Sequence, residues 1–325
     1  MSLAAILLAT LEVSVACANA RLEKKTVAQT PAAETPTAET LTAEALQTAS
    51  NASSKTVVYN YWYGNGSFAR RAYETELIQL LFDLSEDKYG KAEFIVTGRD
   101  MSRKRMMKNL KEGKHIQFMV SPYLNKYMDE EAVIVLPYLI FNNLLGYRQL
   151  IVNNRDAEKF SSISSKKAFQ EKTVGQVVGW GDIDVYKHNK INVLEAPRFS
   201  ALFSMLEYNR FDYISLGISE SKKTYDDEGL AKMNFTLLED VIVFYPWPVH
   251  IMVSVQYPEL AERLTYGMKK ALDNGMYHKH FNKHYQNVLL KFNRPEVKLI
   301  QLETPMLTKK LTDLPVILNK ATVLH

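Results

Sequence analysis

The chain has 325 residues, 46% of them hydrophobic and 23% charged, a globular composition that excludes a disordered, collagenous or coiled-coil protein. Forty Lys and Arg against 36 Asp and Glu leave a net charge of +4, too small an excess to indicate a nucleic-acid partner. The single cysteine excludes a disulfide framework, and the body contains no apolar run long enough to span a bilayer.

Residues 3–18 are mostly small and apolar, interrupted by Glu12, and lead to Ala18-Asn19-Ala20 ahead of Arg21, the pattern of a secretory signal and its cleavage site. Residues 1–20 are therefore expected to be a signal peptide that directs the chain to the periplasm. The competing reading is a buried N-terminal helix. Cys17 has Ser14 where a lipobox carries Leu, so a lipid anchor is not expected there. Residues 26–54 are mostly Thr, Ala, Glu, Pro and Ser, with no aromatic residue. They have too little to bury to offset their ordering entropy, so residues 21–54 read as a disordered tether.

The texture changes at Lys55. Residues 56–62 are β-branched and aromatic, hence a strand, and Gly64-Asn65-Gly66 breaks it. Tyr73, Leu77, Leu80, Leu81 and Leu84 recur at helical spacing, predicting a helix over 68–85. Strands follow at 93–97, 116–120 and 132–136, with a helix over 103–112 ended by Gly113. Beyond them come a strand at 149–152, a helix over 155–172, and a strand at 174–180 that runs into Gly179-Trp180-Gly181-Asp182. A short helix over 183–188, a strand at 191–194, a helix over 199–208 and a strand at 211–216 come next. Strands at 241–244 and 250–255 flank Pro246 and Pro248, and a helix over 258–274 begins with proline. This alternation predicts parallel α/β layers with a ligand crevice at the carboxyl ends of strands. The strands are too many for one small sheet. Two lobes are expected, 55–150 plus 246–325 and 151–245, with crossings near Ile151 and Tyr245.

Several segments carry a resemblance. Leu110-Lys111-Glu112-Gly113-Lys114, Pro137-Tyr138, Arg210-Phe211-Asp212-Tyr213 and Pro258-Glu259-Leu260, in that order, resemble the extracellular solute-binding proteins of family 3. The resemblance spans about 55–290. Arg70-x-x-Tyr73, Gly146-Tyr147-Arg148, Gly179-Trp180-Gly181-Asp182 and Tyr245-Pro246 are similar to a narrower group of substrate-binding domains with no assigned ligand. The resemblance implies an α/β, two-lobe type II periplasmic-binding fold with two hinge crossings. It also implies a small-molecule ligand and a membrane partner, a permease or a sensor. Amino-acid-binding members carry an Asp early in the third strand and an Arg soon after it, and the Arg clamps the ligand carboxylate. Here Ile116 and Met128 fall at those places, so that clamp is absent and an amino-acid ligand does not follow.

The candidate ligand-binding residues are Tyr61, Trp62, Arg70, Ser121, Arg148, Trp180, Asp182 and Tyr245. Tyr61 and Trp62 end the first strand and offer aromatic walls, or else pack in the core. Arg70 lies in a first helical turn, where a cation is unfavourable unless an anion answers it. Ser121 follows the third strand with a hydroxyl for the cleft or for a turn. Arg148 adjoins the first crossing and Tyr245 the second. Trp180 and Asp182 lie among glycines that admit close approach, although Asp182 also suits a helix cap. His278, His280 and His284 read as a solvated helix face, so no metal is expected, and no cofactor motif is present. The expectation is a monomeric, non-catalytic periplasmic solute-binding protein. The alternatives are a dehydratase-like enzyme using Asp182 or Glu195, and an interaction module with an occluded cleft.

Overall fold

The computed structural model describes residues 56–64, 68–98, 101–123, 129–307 and 317–325. The expected signal peptide and tether, and Met128, lie outside the described residues.

Strands β1 (Val57–Trp62), β2 (Ala92–Thr97), β3 (Phe118–Pro122) and β4 (Val133–Val135) alternate with helices α1 (Phe68–Leu84), α2 (Glu86–Tyr89) and α3 (Arg103–Glu112). The chain then enters β5 (Tyr147–Asn153), α4 (Ala157–Ser161), α5 (Lys166–Gln170), β6 (Val174–Val177), α6 (Asp182–His188), β7 (Val193–Ala196), α7 (Phe199–Glu207), β8 (Tyr213–Gly217), α8 (Ser221–Asp227) and β9 (Phe235–Phe244). It returns through β10 (Val249–Ser254), α9 (Pro258–Asp273) and α10 (Met276–Phe292), and closes with β11 (Lys298–Gln301) and β12 (Thr322–Leu324).

Two sheets result. One has the order β2-β1-β3-β10-β4 and the other β12-β11-β9-β5-β8-β6-β7. The α/β, two-sheet architecture is the one expected, but the sheets are mixed rather than parallel. β10 runs antiparallel to β3 and β4, and β5 runs antiparallel to β8 and β9. Each antiparallel strand is the first after a passage between sheets, so it enters without a helical crossover to set its direction.

The first passage occupies 136–146 and the second 245–248, and the two touch. Tyr245 N–H donates to the Gly146 carbonyl at 3.2 Å, and Trp247 N–H donates to Asn143 Oδ1 at 2.8 Å. A Cβ at position 146 would stand 2.2 Å from the Tyr245 carbonyl oxygen, so glycine alone fits that crossing. A third passage, after α10, carries β11 and β12 into the second sheet. There β11 pairs in parallel with β9. The assignment of all of 246–325 to the first lobe therefore does not extend to these strands.

The expected 155–172 helix is two short helices. A serine-rich stretch interrupts it, and Ser165 Oγ accepts from Ala168 N–H at 3.2 Å to start α5 afresh. The 174–180 strand ends at Val177 because Gly179 takes a φ of +84° and Trp180 N–H turns back to the Val177 carbonyl.

Packing follows the amphipathic patterns. Tyr73, Leu77, Ile78, Leu81 and Phe82 are the buried face of α1. α9 lies so close that a Cβ on Gly267 would meet the Leu81 carbonyl at 2.3 Å. One continuous apolar cluster runs from Tyr61 and Phe118 in the first sheet, through Phe141, Leu144 and Trp247 in the passages, to Val241–Val243 in the second. Smaller clusters cover the far faces, around Leu202 and Phe211 on the second sheet and around Met106 and Met252 on the first. Among the described residues no helix is long and apolar enough to cross a membrane.

Candidate functional site

The inner end of β1 places Tyr61 and Trp62 on opposite faces, as strand periodicity requires. Tyr61 faces α1. Its hydroxyl donates to Glu74 Oε2 at 2.5 Å, while Arg70 Nε donates to Glu74 Oε1 at 2.9 Å. Glu74 is fully buried. Burial raises its pKa, with Arg70 and Tyr61 acting against that rise. Burial also works against the Arg70 charge, but Glu74 and then Glu220 outweigh it and keep the guanidinium protonated. The first-turn arginine thus has the anion its position demands.

On the second sheet β5 carries Arg148. Its Nη2 donates to Asp182 Oδ1 at 2.9 Å, and the Tyr245 hydroxyl donates to the same oxygen at 2.8 Å. The guanidinium lies 5.1 Å from the Tyr245 ring centroid and 5.7 Å from that of Trp247. Burial pushes the Tyr245 hydroxyl well up, and Tyr186, whose hydroxyl donates to Ser215 Oγ, packs edge-on against its ring. Asp182 is the first residue of α6. Its carboxylate reaches Arg148 and Tyr245, so this side chain joins the cluster as well as opening the helix.

Glu220, in the turn after β8, acts electrostatically on both groups. Its carboxylate raises the pKa of both Arg70 and Arg148. The hydroxyls of Tyr63 and Tyr285 sense Glu74, Arg70 and Glu220 together, and burial foremost pushes Tyr63 up to about 12. Two buried polar atoms here have no hydrogen-bond partner among the described residues, Arg148 Nε and the Tyr285 hydroxyl.

Five of the eight sequence candidates therefore converge: Tyr61 and Arg70 on Glu74, and Arg148, Asp182 and Tyr245 on one another. The remaining three sit elsewhere. Trp62 faces the far side of the first sheet and lines a cavity of about 510 Å³ with Asn60, Thr97, Met101, Arg105 and His115. Ser121 pairs with His250 near the end of β3, its Oγ 3.4 Å from the Pro122 carbonyl. Trp180 packs 6.1 Å from Phe199 against the outer cluster of the second sheet. Sequence reasoning missed Glu74, Glu220 and Tyr285. Arg70 and Glu74 at i,i+4 were a readable signal for the first. Two of the three histidines also differ from expectation, while His278 is exposed. His280 is buried and His284 half-buried, because α10 packs that face on α1.

No family model matches the sequence, and no curated protein sequence does. Solved structures do. The chain is similar to an ancestral arginine-binding protein bound to arginine, at 16% identity, over 70% of this chain and 98% of that one, with a TM-score of 0.49. It is similar to the GluR0 ligand-binding core in complex with L-glutamate, at 11% identity, over 71% and 99%, with a TM-score of 0.48. A structure from work on glutathione import in Streptococcus mutans matches at 12% identity, over 71% and 96%, also at 0.48. No ligand follows for this chain from theirs.

Proposed function

We propose that this protein captures a small polar solute between its two lobes without transforming it, and hands the closed complex to a membrane permease or sensor. One observation carries the reading: two buried ion pairs, Arg70 with Glu74 on α1 and Arg148 of β5 with Asp182 of α6, come from the two halves of the fold, and the charge of Glu220 acts on both arginines. Buried ion pairs contribute little to stability by themselves, so a concentration of them at the junction of two sheets suits recognition. A ligand acceptor that enters when the lobes part would displace Asp182 from Arg148. A ligand touching both halves would then favour the shut form, since it binds that form better. Tyr245 and Trp247 supply ring faces, so an anionic or ring-bearing solute fits best. Export through the N-terminal segment would place this in the periplasm, with a monomer as the working unit.

A second reading has its own support. The groups that would bind ligand already satisfy one another, and the apolar cluster between the sheets is continuous. That arrangement also suits an interaction module whose cleft stays shut.

Screening the purified full chain against a broad set of small polar metabolites separates the two. Capture predicts that at least one compound raises the thermal midpoint and compacts the protein in solution scattering, and that Arg148→Met abolishes both responses. No response from any compound, with scattering unchanged, rejects capture in favour of the closed module.

A further inference from the structure

On the opposite flank of α1 from Glu74 lies a group that the solute site does not use. α10 presents His280 and His284 one helical turn apart, and α1 presents Glu76 to them. The ligand atoms of the three residues all lie within 4.8 Å of one another. His284 Nε2 is 3.1 Å from Glu76 Oε2, and His280 Nδ1 is 3.8 Å from the same oxygen. Tetrahedral zinc, with bonds of about 2.0–2.1 Å, places neighbouring donors about 3.3 Å apart. The spacing is close to that without any movement of the helices.

The orientation of His280 is the stronger sign. Its Nε2 lies 3.0 Å from the Tyr73 carbonyl. A carbonyl only accepts, so Nε2 carries the proton and Nδ1 turns a lone pair toward the Glu76 carboxylate. Two electron-rich atoms then face each other across 3.8 Å, which favours a cation between them. A backbone carbonyl on the far nitrogen is also how ligating imidazoles are commonly oriented. The Tyr73 ring stacks on His280 at 4.6 Å and meets His284 edge-on at 5.4 Å, fixing both rings. Lys283 Nζ, on an exposed side chain, is 2.7 Å from Glu76 Oε2 and occupies part of the space a metal would take.

We propose that Glu76, His280 and His284 form a zinc(II) site of two imidazoles and one carboxylate, completed by water, that clips α10 to α1. Imidazole with carboxylate suits zinc rather than calcium or magnesium, which prefer oxygen alone. Lys283 competes for the carboxylate and holds the affinity down. Because α1 also bears Arg70 and Glu74, an occupied site would brace the helix that supplies half of the solute cluster.

The experiment uses the tag-free full chain, stripped with chelator and titrated with zinc and, as a spectroscopic probe, cobalt(II). Wild type should retain one equivalent of zinc through gel filtration and give the visible absorption of four-coordinate cobalt. Glu76→Gln should weaken binding at least about tenfold, the scale on which even outer partners of metal ligands act. His284→Gln should remove the cobalt band, and His278→Gln should leave it intact. Lys283→Ala should bind more tightly than wild type, a gain that misfolding cannot imitate. Wild type that retains no zinc and shows no cobalt band overturns the proposal. So does binding that is unchanged in both Glu76→Gln and His284→Gln. All of these readings are taken without any organic ligand, so they stand or fall separately from solute capture.

Discussion

Two buried arginines sit at opposite ends of the molecule's chemistry. Arg263 on α9 is 2% exposed and Arg148 on β5 is 9% exposed, so both guanidinium groups have left water. Arg263 ends on fixed acceptors. Its Nε donates to Ser85 Oγ at 3.0 Å, and its Nη2 donates to the Gly90 carbonyl at 2.6 Å and the Phe82 carbonyl at 3.4 Å, with the guanidinium over the Phe82 ring. Those carbonyls close the C-terminal turns of α1 and α2, where the helix dipole favours a cation. Among the described residues no carboxylate hydrogen-bonds to it, and burial pulls its pKa down. Arg148 ends on a side-chain carboxylate and two aromatic rings, and its Nε–H has no hydrogen-bond partner among the described residues. An arginine satisfied by backbone is part of the scaffold. One satisfied by a movable carboxylate has partners that a ligand can replace.

The largest effect should come from Arg263→Ala, which strands several acceptors and empties the space over Phe82. A loss of roughly 3 kcal/mol in urea unfolding is expected, with any ligand-induced thermal shift preserved in size. A loss below about 1 kcal/mol would break the distinction. Tyr61→Phe comes next. It removes one donor from the buried Glu74 carboxylate and should cost about 1–2 kcal/mol. The third test sharpens the contrast. Replacing Arg148 by Met and Asp182 by Leu together should leave stability within about 1 kcal/mol of wild type or above it, because it removes a buried pair rather than one partner. Ligand response should vanish in that double variant, whereas no change at a neighbour rescues Arg263→Ala. The smallest effect is a pH dependence. Burial raises the folded Glu74 pKa above its ordinary 4.5, so the folded state holds this proton more strongly than the unfolded state does. The contribution is therefore complete below pH 4.5 and is lost as pH rises through the folded pKa. Stability curves of wild type and Glu74→Gln, recorded upward from pH 4, should diverge with the wild type falling behind. Parallel curves would mean that Arg70 and Tyr61 cancel the burial.

Much of the site was legible because its residues break local rules. Arg70 is a cation at the wrong end of a helix, and Arg148 and Tyr245 adjoin the passages. Asp182 follows a glycine-rich turn. Glu74 was not legible as part of it, since an i,i+4 partner of arginine has the same spacing whether it faces water or the core. Only the packing of α9 and β1 on α1 decides that it is buried. Trp62 and Tyr61 are adjacent, and composition does not say which faces inward; the strand period assigns them only once the sheet is placed. The histidines of α10 carry lysines between them and read as exposed, but the face they share lies on α1. β11 and β12 are not legible because they are only four and three residues long. The antiparallel direction of β5 and β10 depends on where the chain enters each sheet, which periodicity does not encode.

The late arrival of β11 has a consequence for synthesis. β9 is complete by Phe244, yet its neighbour on one side is made more than fifty residues later and lies beyond the whole of α9 and α10. While the nascent chain is still emerging from the ribosome, the apolar Val241–Phe244 end of β9 has one row of backbone groups open to any extended segment nearby. The second sheet is therefore the slower half to be sealed. Its dependence on strands made so long after β9 makes it the place where a stalled or truncated product would aggregate first.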